Sequence, residues 1–227
     1  MGNDEIKTFL REHADAGYAE FSRALVPGAR PMTGVRIPVL RALARDIAAG
    51  DWRGYLDHAC DDTFEEVMLQ GLVTGAARMD FEEQWERTAA YARKITDWSL
   101  CDSPVTGFRF VRRRRGEVWQ RLQPYLLSGE EFAQRFALVM LLAHFVTDDY
   151  ADRVLRACTE VRPAGYYARM AAAWAVSVCF VKYPQPSLAL LESGRLEAET
   201  HNMAIRKITE SLRVSPADKE RVRALRR

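Results

Sequence analysis

Nothing in this chain marks it as secreted, membrane-spanning or disulfide-built. Its four cysteines, Cys60, Cys101, Cys158 and Cys179, are far apart with no CxxC pair. That spacing excludes a disulfide framework and a cysteine zinc site, so no metal is expected. The longest apolar run, Phe136 to Ala143, is too short to span a bilayer. The first residues, Met-Gly-Asn-Asp-Glu, are acidic, without the basic-then-apolar order of a signal peptide, and do not complete a myristoylation pattern. A cytoplasmic location is expected, with no membrane contact. His13, His58, His144 and His201 have no ligand spacing, and no Ser or Cys nucleophile arrangement is visible. The turn Gly34-Val35-Arg36-Ile37-Pro38 is not a glycine-rich phosphate loop; it leads into a helix with Pro38 at its first position. Alternating period-two strands are missing as well.

What is present is an ordinary globular composition, with 227 residues, 48% hydrophobic and 28% charged. That length buries a sizeable core, as one domain over residues 1–227 or a repeat array that behaves as one. The net charge of +2 hides an asymmetry. Residues 1–100 hold 12 Lys+Arg against 17 Asp+Glu, whereas residues 101–227 hold 21 against 14. A basic half points to phosphate more than a nearly neutral total does, because local charge sets that affinity.

Apolar residues recur at spacings of three and four almost throughout, the helical period. Phe64, Val67, Met68, Gly71 and Leu72 line one face of a helix opened by a Thr63–Glu66 capping box. Asp80 is placed to cap a helix through Ile95, and Ser128 with Glu131 another to about Val146. A third long helix, Tyr166 to Tyr183, ends before Pro184 and Pro186, and Pro216 after Ser215 opens a last short one. Thirteen or fourteen helices joined by short loops, pairing every 30 to 45 residues or so, predict an all-α, HEAT-like solenoid. Cys179 reads as a small core residue, and Glu65-Glu66 and Glu82-Glu83 read as solvated pairs.

Trp98 and Asp102 stand four apart, one turn along the same helix face. A carboxylate beside an indole suits a cation or a centre that develops positive charge. Arg135 and Trp174, on later helices, could join them, adding a guanidinium for a phosphate and a second indole. Each residue also has a plain structural role open to it. Asp102 can cap a helix or pair with a core arginine, the tryptophans can be core aromatics, and Arg135 in its apolar stretch needs a carboxylate or a phosphate as partner. Arg109 and the run Arg112, Arg113, Arg114 and Arg115, interleaved with Phe108, Phe110 and Trp119 and opposed by Glu117, suit phosphate contact or a solvated helix junction. The basic C-terminal tail, interrupted by Asp218 and Glu220, reads as a solvated surface helix.

Several stretches together resemble the bacterial DNA alkylation repair family, the AlkD-like HEAT-repeat DNA glycosylases. They are Thr33 to Arg41, Glu65 to Gly71, Asp97-Trp98-Ser99-Leu100-Cys101-Asp102-Ser103, Tyr166 to Trp174, Ser177 to Lys182 and Asn202 to Ile208. The resemblance covers essentially the whole chain, and the last stretches are similar to a particular branch. It implies a right-handed superhelix of paired helices whose basic concave face holds duplex DNA. It implies hydrolysis of the N-glycosidic bond of cationic alkylpurines such as 3-methyladenine and 7-methylguanine, without tight base flipping and without a cofactor. On it, Asp102 is the catalytic carboxylate, Trp98 and Trp174 contact the lesion's deoxyribose, and Arg135 holds the nearby backbone phosphate. Phe21 stands near the position of an aromatic beside the lesion. The partner implied is duplex DNA carrying alkylated purines, at the nucleoid, with no obligate protein partner. The alternative within the same architecture is a HEAT-like protein that binds branched or damaged DNA without excising bases.

Overall fold

A computed structural model describes residues 2–227. The chain divides into two compact units, one ending at Phe110 and the next beginning at Val111. Among the described residues there is no strand, and every regular element is helical. The first unit runs α1 (Asn3–Glu12), α2 (Ala16–Leu25), α3 (Ile37–Ala49), α4 (Trp52–His58), α5 (Phe64–Ala76), α6 (Phe81–Ala92) and α7 (Trp98–Val105). A 3-10 helix, Arg109–Arg113, follows. The second unit runs α8 (Arg115–Leu126), α9 (Glu131–His144), α10 (Ala151–Glu160), α11 (Tyr166–Lys182), α12 (Pro184–Glu192), α13 (Ala198–Glu210) and α14 (Pro216–Arg223).

Both units follow one plan. In the first, α3, α5 and α7 pack in series, with α4 lying on α3 and α5 and α6 on α5. In the second, α9, α11 and α13 pack in series, and α8, α10, α12 and α14 cover them. The serial helices begin at residues 37, 64 and 98, then at 131, 166 and 198, a repeat of about thirty residues, as in HEAT-like arrays. The expected all-α, paired-helix architecture is the observed one.

The serial helices are buried on more than one face because each has neighbours on both sides. Every residue of α5 from Phe64 to Thr74 is buried, not only the apolar stripe. In α11 the small side chains Ala168, Ala171, Ala172, Ala173 and Ala175 are buried, letting α9 and α13 approach from two sides.

Burial of α5 overturns the reading of Glu65 and Glu66 as solvated, since they are 2% and 4% exposed. The Glu65 carboxylate accepts the Thr33 and Gly34 N–H groups at 3.0 and 2.7 Å, satisfying two backbone donors of a turn about thirty residues earlier. Gly34 has φ +86°, and a Cβ there would meet the Asp15 carbonyl at 2.1 Å, so only glycine fits. Glu66 completes the capping box with Thr63. Glu83 also has a partner, an ion pair with Arg53.

Other local capping signals hold in part. Asp80 and Ser215 do cap their helices. The helix after Asp80 stops at Ala92, short of Ile95, and α9 stops at His144, short of Val146. Ser128 is not the cap of α9: its Oγ accepts the Glu130 N–H at 3.0 Å, and Glu130 occupies the cap position. Pro38 is the second residue of α3. Cys179 is a core residue, as expected.

Candidate functional site

The short helix α7 carries Trp98 at its first position and Asp102 one turn later. Asp97 starts it. One carboxylate oxygen accepts the Ser99 and Leu100 N–H groups at 2.9 Å each. The cap role considered for Asp102 therefore belongs to Asp97. Burial holds the Asp97 carboxyl above its ordinary range, opposed by these two backbone hydrogen bonds. Its second oxygen is buried with no hydrogen-bond partner.

Pro104 lies inside α7 and offers no N–H to the Leu100 carbonyl four residues back. The Tyr91 hydroxyl supplies the missing donor at 2.6 Å. Burial pushes this phenol well above its ordinary value, so it stays a donor. The Tyr91 ring lies flush against Gly71 of α5, where a Cβ would meet it at 2.3 Å. A glycine on α5 thus admits the tyrosine that completes α7. The apolar periodicity puts Gly71 on a helix face, and nothing in it singles out Tyr91 or Asp97. The available signal was a proline inside a helical stretch, which leaves one carbonyl in need of a foreign donor.

Neither Trp98 nor Asp102 belongs to the core, and both are half-exposed. The Trp98 indole N–H donates to the Leu25 carbonyl at 3.2 Å, which fixes the ring's edge while leaving surface open. Trp98 lines one cleft with Tyr18, Phe21 and Leu25 of α2. Phe21 is 60% exposed and makes a ring contact with Tyr18. So Trp98 and Phe21, 77 positions apart in sequence, share a cleft within the first unit.

In the second unit Arg135 is 4% exposed on α9. Its Nη1 donates to the Tyr167 carbonyl at 2.8 Å, with the Tyr167 ring centroid 6.0 Å from the guanidinium. Glu131, one turn earlier on α9, accepts the Tyr167 N–H at 2.5 Å, and Phe132 stacks on the Tyr167 ring. The first turn of α11 is thereby fastened to α9 through Glu131 and Arg135. Trp174 is seven residues after Tyr167, two turns along the same face of α11, and is half-exposed between buried alanines.

The arginine run is not uniform. Arg109, Arg112 and Arg113 are exposed on the 3-10 helix, with no side-chain hydrogen bond or ion pair among the described residues. Arg114 forms a two-pronged ion pair with Glu117, which holds that carboxyl below its usual range. Arg115 is half-buried, and its Nε donates to the His144 carbonyl at 2.7 Å, at the end of α9. The helix dipole favours a cation there. In the C-terminal tail Arg221 pairs with Glu192 and Arg223 with Glu220, as a solvated helix surface would.

One donor cluster has metal-like composition. Ligand atoms of Cys60, Asp62 and Glu66 lie within 4.8 Å of one another. The Lys7 ammonium stands 2.8 Å from Asp62 and 4.0 Å from Glu66, and supplies the cation those carboxylates need. Among the described residues no helix is long and apolar enough to cross a membrane.

Comparison with known proteins finds no matching curated protein and no matching solved structure. One family profile does match, under the description DNA alkylation repair enzyme, over residues 6–176. That stretch is about three quarters of the chain. It contains Phe21, Trp98, Asp102, the arginine run, Arg135 and Trp174. With so much of it matched, the chain belongs to the DNA alkylation repair enzyme family.

Proposed function

We propose that this protein is a DNA-alkylpurine glycosylase, hydrolysing the N-glycosidic bond of cationic alkylpurines in duplex DNA. The observation that carries the reading is Asp102, a half-exposed carboxylate one turn after a half-exposed indole on a helix capped by another aspartate. A carboxylate and an indole so placed share one side of α7. Within an alkylation repair family, the chemistry they suit is charge stabilisation at a sugar.

An N3- or N7-alkylated purine already carries positive charge. When its bond to C1′ breaks, the electron pair goes to the base nitrogen and neutralises it, so no general acid is required. The sugar develops oxocarbenium charge. Asp102 stabilises that charge, and accepts a proton from the water whose oxygen forms the new bond to C1′. The indole face of Trp98 against the sugar adds cation–π attraction, about 0.5–2 kcal/mol. The exposed Arg109, Arg112 and Arg113 contact backbone phosphates. Leaving group, water and carboxylate suffice, with no cofactor. The partner is duplex DNA with alkylated purines, met at the nucleoid.

The test is release of 7-methylguanine and 3-methyladenine from methylated duplex DNA. Wild type releases base, and Asp102→Asn, which keeps shape but not charge, is slower by about 10²-fold or more, at least ~2.7 kcal/mol of barrier. DNA affinity and unfolding temperature change little. Normal excision by Asp102→Asn would sink the catalytic assignment. Wild type that binds DNA yet releases no alkylated base places the protein with HEAT-like binders of branched or damaged DNA.

A further inference from the structure

The first unit carries more acid than base over residues 1–100, yet one part of its surface is purely basic. A cleft beside the C-terminal ends of α5 and α7 is lined by Arg41, Arg45 and Arg109. A second cleft continues from it, sharing Arg45 and Ala76 and adding Arg78. No carboxylate lines either. The remaining lining is small or apolar, including Ala44, Gly75, Ala76 and Gly107.

Lys7, Arg36, Arg53, Arg87 and Lys94 are each ion-paired, to Asp62, Asp15, Glu83, Asp57 and Asp61, while Arg11, Arg23, Arg30 and Arg93, with no ion pair among the described residues, line neither cleft. None of the four cleft arginines has a carboxylate partner among the described residues. Arg41 donates to the Ser103 carbonyl at 2.9 Å, and no hydrogen bond joins Arg45, Arg78 or Arg109 to another side chain. In an acid-rich unit, four arginines clustered without a counter-charge form a site for an anion supplied from outside. Arg41 and Arg45 are one turn apart on α3, about 6 Å along its axis, and Arg45 lines both clefts, so the charges extend from one cleft into the other. Guanidiniums spread over two adjoining clefts fit a chain of phosphates better than one compact anion.

We infer that Arg41, Arg45, Arg78 and Arg109 form a phosphodiester-binding strip on the first unit. It holds the backbone of duplex DNA flanking the lesion. This rests on the proposed DNA reading. Arg41 meets the carbonyl of Ser103, which ties the strip to α7, the helix that carries Asp102.

The test measures binding of a fluorescein-labelled, undamaged duplex across a salt series. Arg45→Ala/Arg78→Ala removes two charges that make no intramolecular bond. Each lost phosphate contact lowers the log–log salt slope by about 0.9, about 1.8 for the pair. A fourfold rise in salt then weakens wild type about twelve-fold more than the variant. Arg45→Lys/Arg78→Lys retains the wild-type slope. Arg11→Ala/Arg93→Ala, an equal loss of charge outside both clefts, also leaves it unchanged. The strip is overturned if Arg45→Ala/Arg78→Ala keeps the wild-type slope, or if the Arg11/Arg93 control lowers it equally. A wild type that binds no duplex overturns both the strip and the proposed function. Normal excision by Asp102→Asn would sink the catalytic reading alone, because the strip is read on undamaged DNA.

Discussion

Replacing Tyr91 by Phe removes one oxygen from the buried interior and leaves the ring in its place against Gly71. The Leu100 residue is fully buried, and Pro104 cannot serve its carbonyl, so the carbonyl loses the donor that completes it. A buried acceptor left without a partner costs about 1–3 kcal/mol. For a chain of this size each kcal/mol lowers the melting temperature by roughly 2–4 °C, so a fall of about 2–12 °C is expected. The reasoning is checked by giving the carbonyl another donor. Pro104→Ala restores a backbone N–H four residues after Leu100, in line with the helical pattern. Alone it changes stability little: the carbonyl is already satisfied, and freeing the unfolded chain costs about 0.4–1 kcal/mol. In combination, Pro104→Ala recovers most of what Tyr91→Phe loses, a coupling of about 1 kcal/mol or more in a double-mutant cycle. The assay is denaturant unfolding of the four proteins, followed by tryptophan fluorescence. A double variant as unstable as Tyr91→Phe, or a Tyr91→Phe protein as stable as wild type, refutes the proposed role of the hydroxyl.

Arg112→Ala/Arg113→Ala flattens the salt dependence of duplex binding by about 1.8 in the log–log slope, with stability within about 0.5 kcal/mol of wild type. Arg115→Ala behaves differently: it breaks the bond to the His144 carbonyl and lowers stability by about 1.5–3 kcal/mol in thermal melts. Loss of stability by the first variant, or none by the second, reverses the division drawn within the run. Asp97→Asn tests the buried cap. A carboxyl whose folded pKa is raised above the ordinary 3.8 binds more protons folded than unfolded, so its contribution to stability falls as pH rises through that range. Asparagine keeps an oxygen for the Ser99 and Leu100 N–H groups without the buried charge. The variant's stability relative to wild type therefore rises as pH is raised through 3.8 and on through the higher range in which the folded carboxyl ionises. Denaturant melts across pH that show the opposite trend would mean the ionised carboxylate is stabilised in place.

Local chemistry alone determined the helical class and many boundaries. Thr63 with Glu66, Asp80, and Ser215 before Pro216 each act within one turn, so their effect is written in adjacent residues. The same holds for Trp98 and Asp102 sharing a helix face. The family too is legible in the order of such short stretches. What sequence could not decide is which polar groups the packing would bury and which it would leave to solvent. Glu65 and Glu66 read as a solvated pair, until α5 is enclosed and Glu65 meets the Thr33–Gly34 turn. Ser128 read as a cap, but the chain turns two residues later. Arg112 to Arg115 look alike as letters, and tertiary contacts assign Arg115 to the end of α9 while leaving Arg112 and Arg113 exposed. Arg41, Arg45, Arg78 and Arg109 are scattered among acids in sequence, and only the packing of α3 beside α5 and α7 gathers them into clefts without carboxylates. Helix periodicity acts over one turn and can be read along the chain. The partner of a buried carbonyl, carboxylate or guanidinium comes from wherever packing brings the nearest donor or acceptor, and for Leu100, Glu65 and Arg135 that place is on another element altogether.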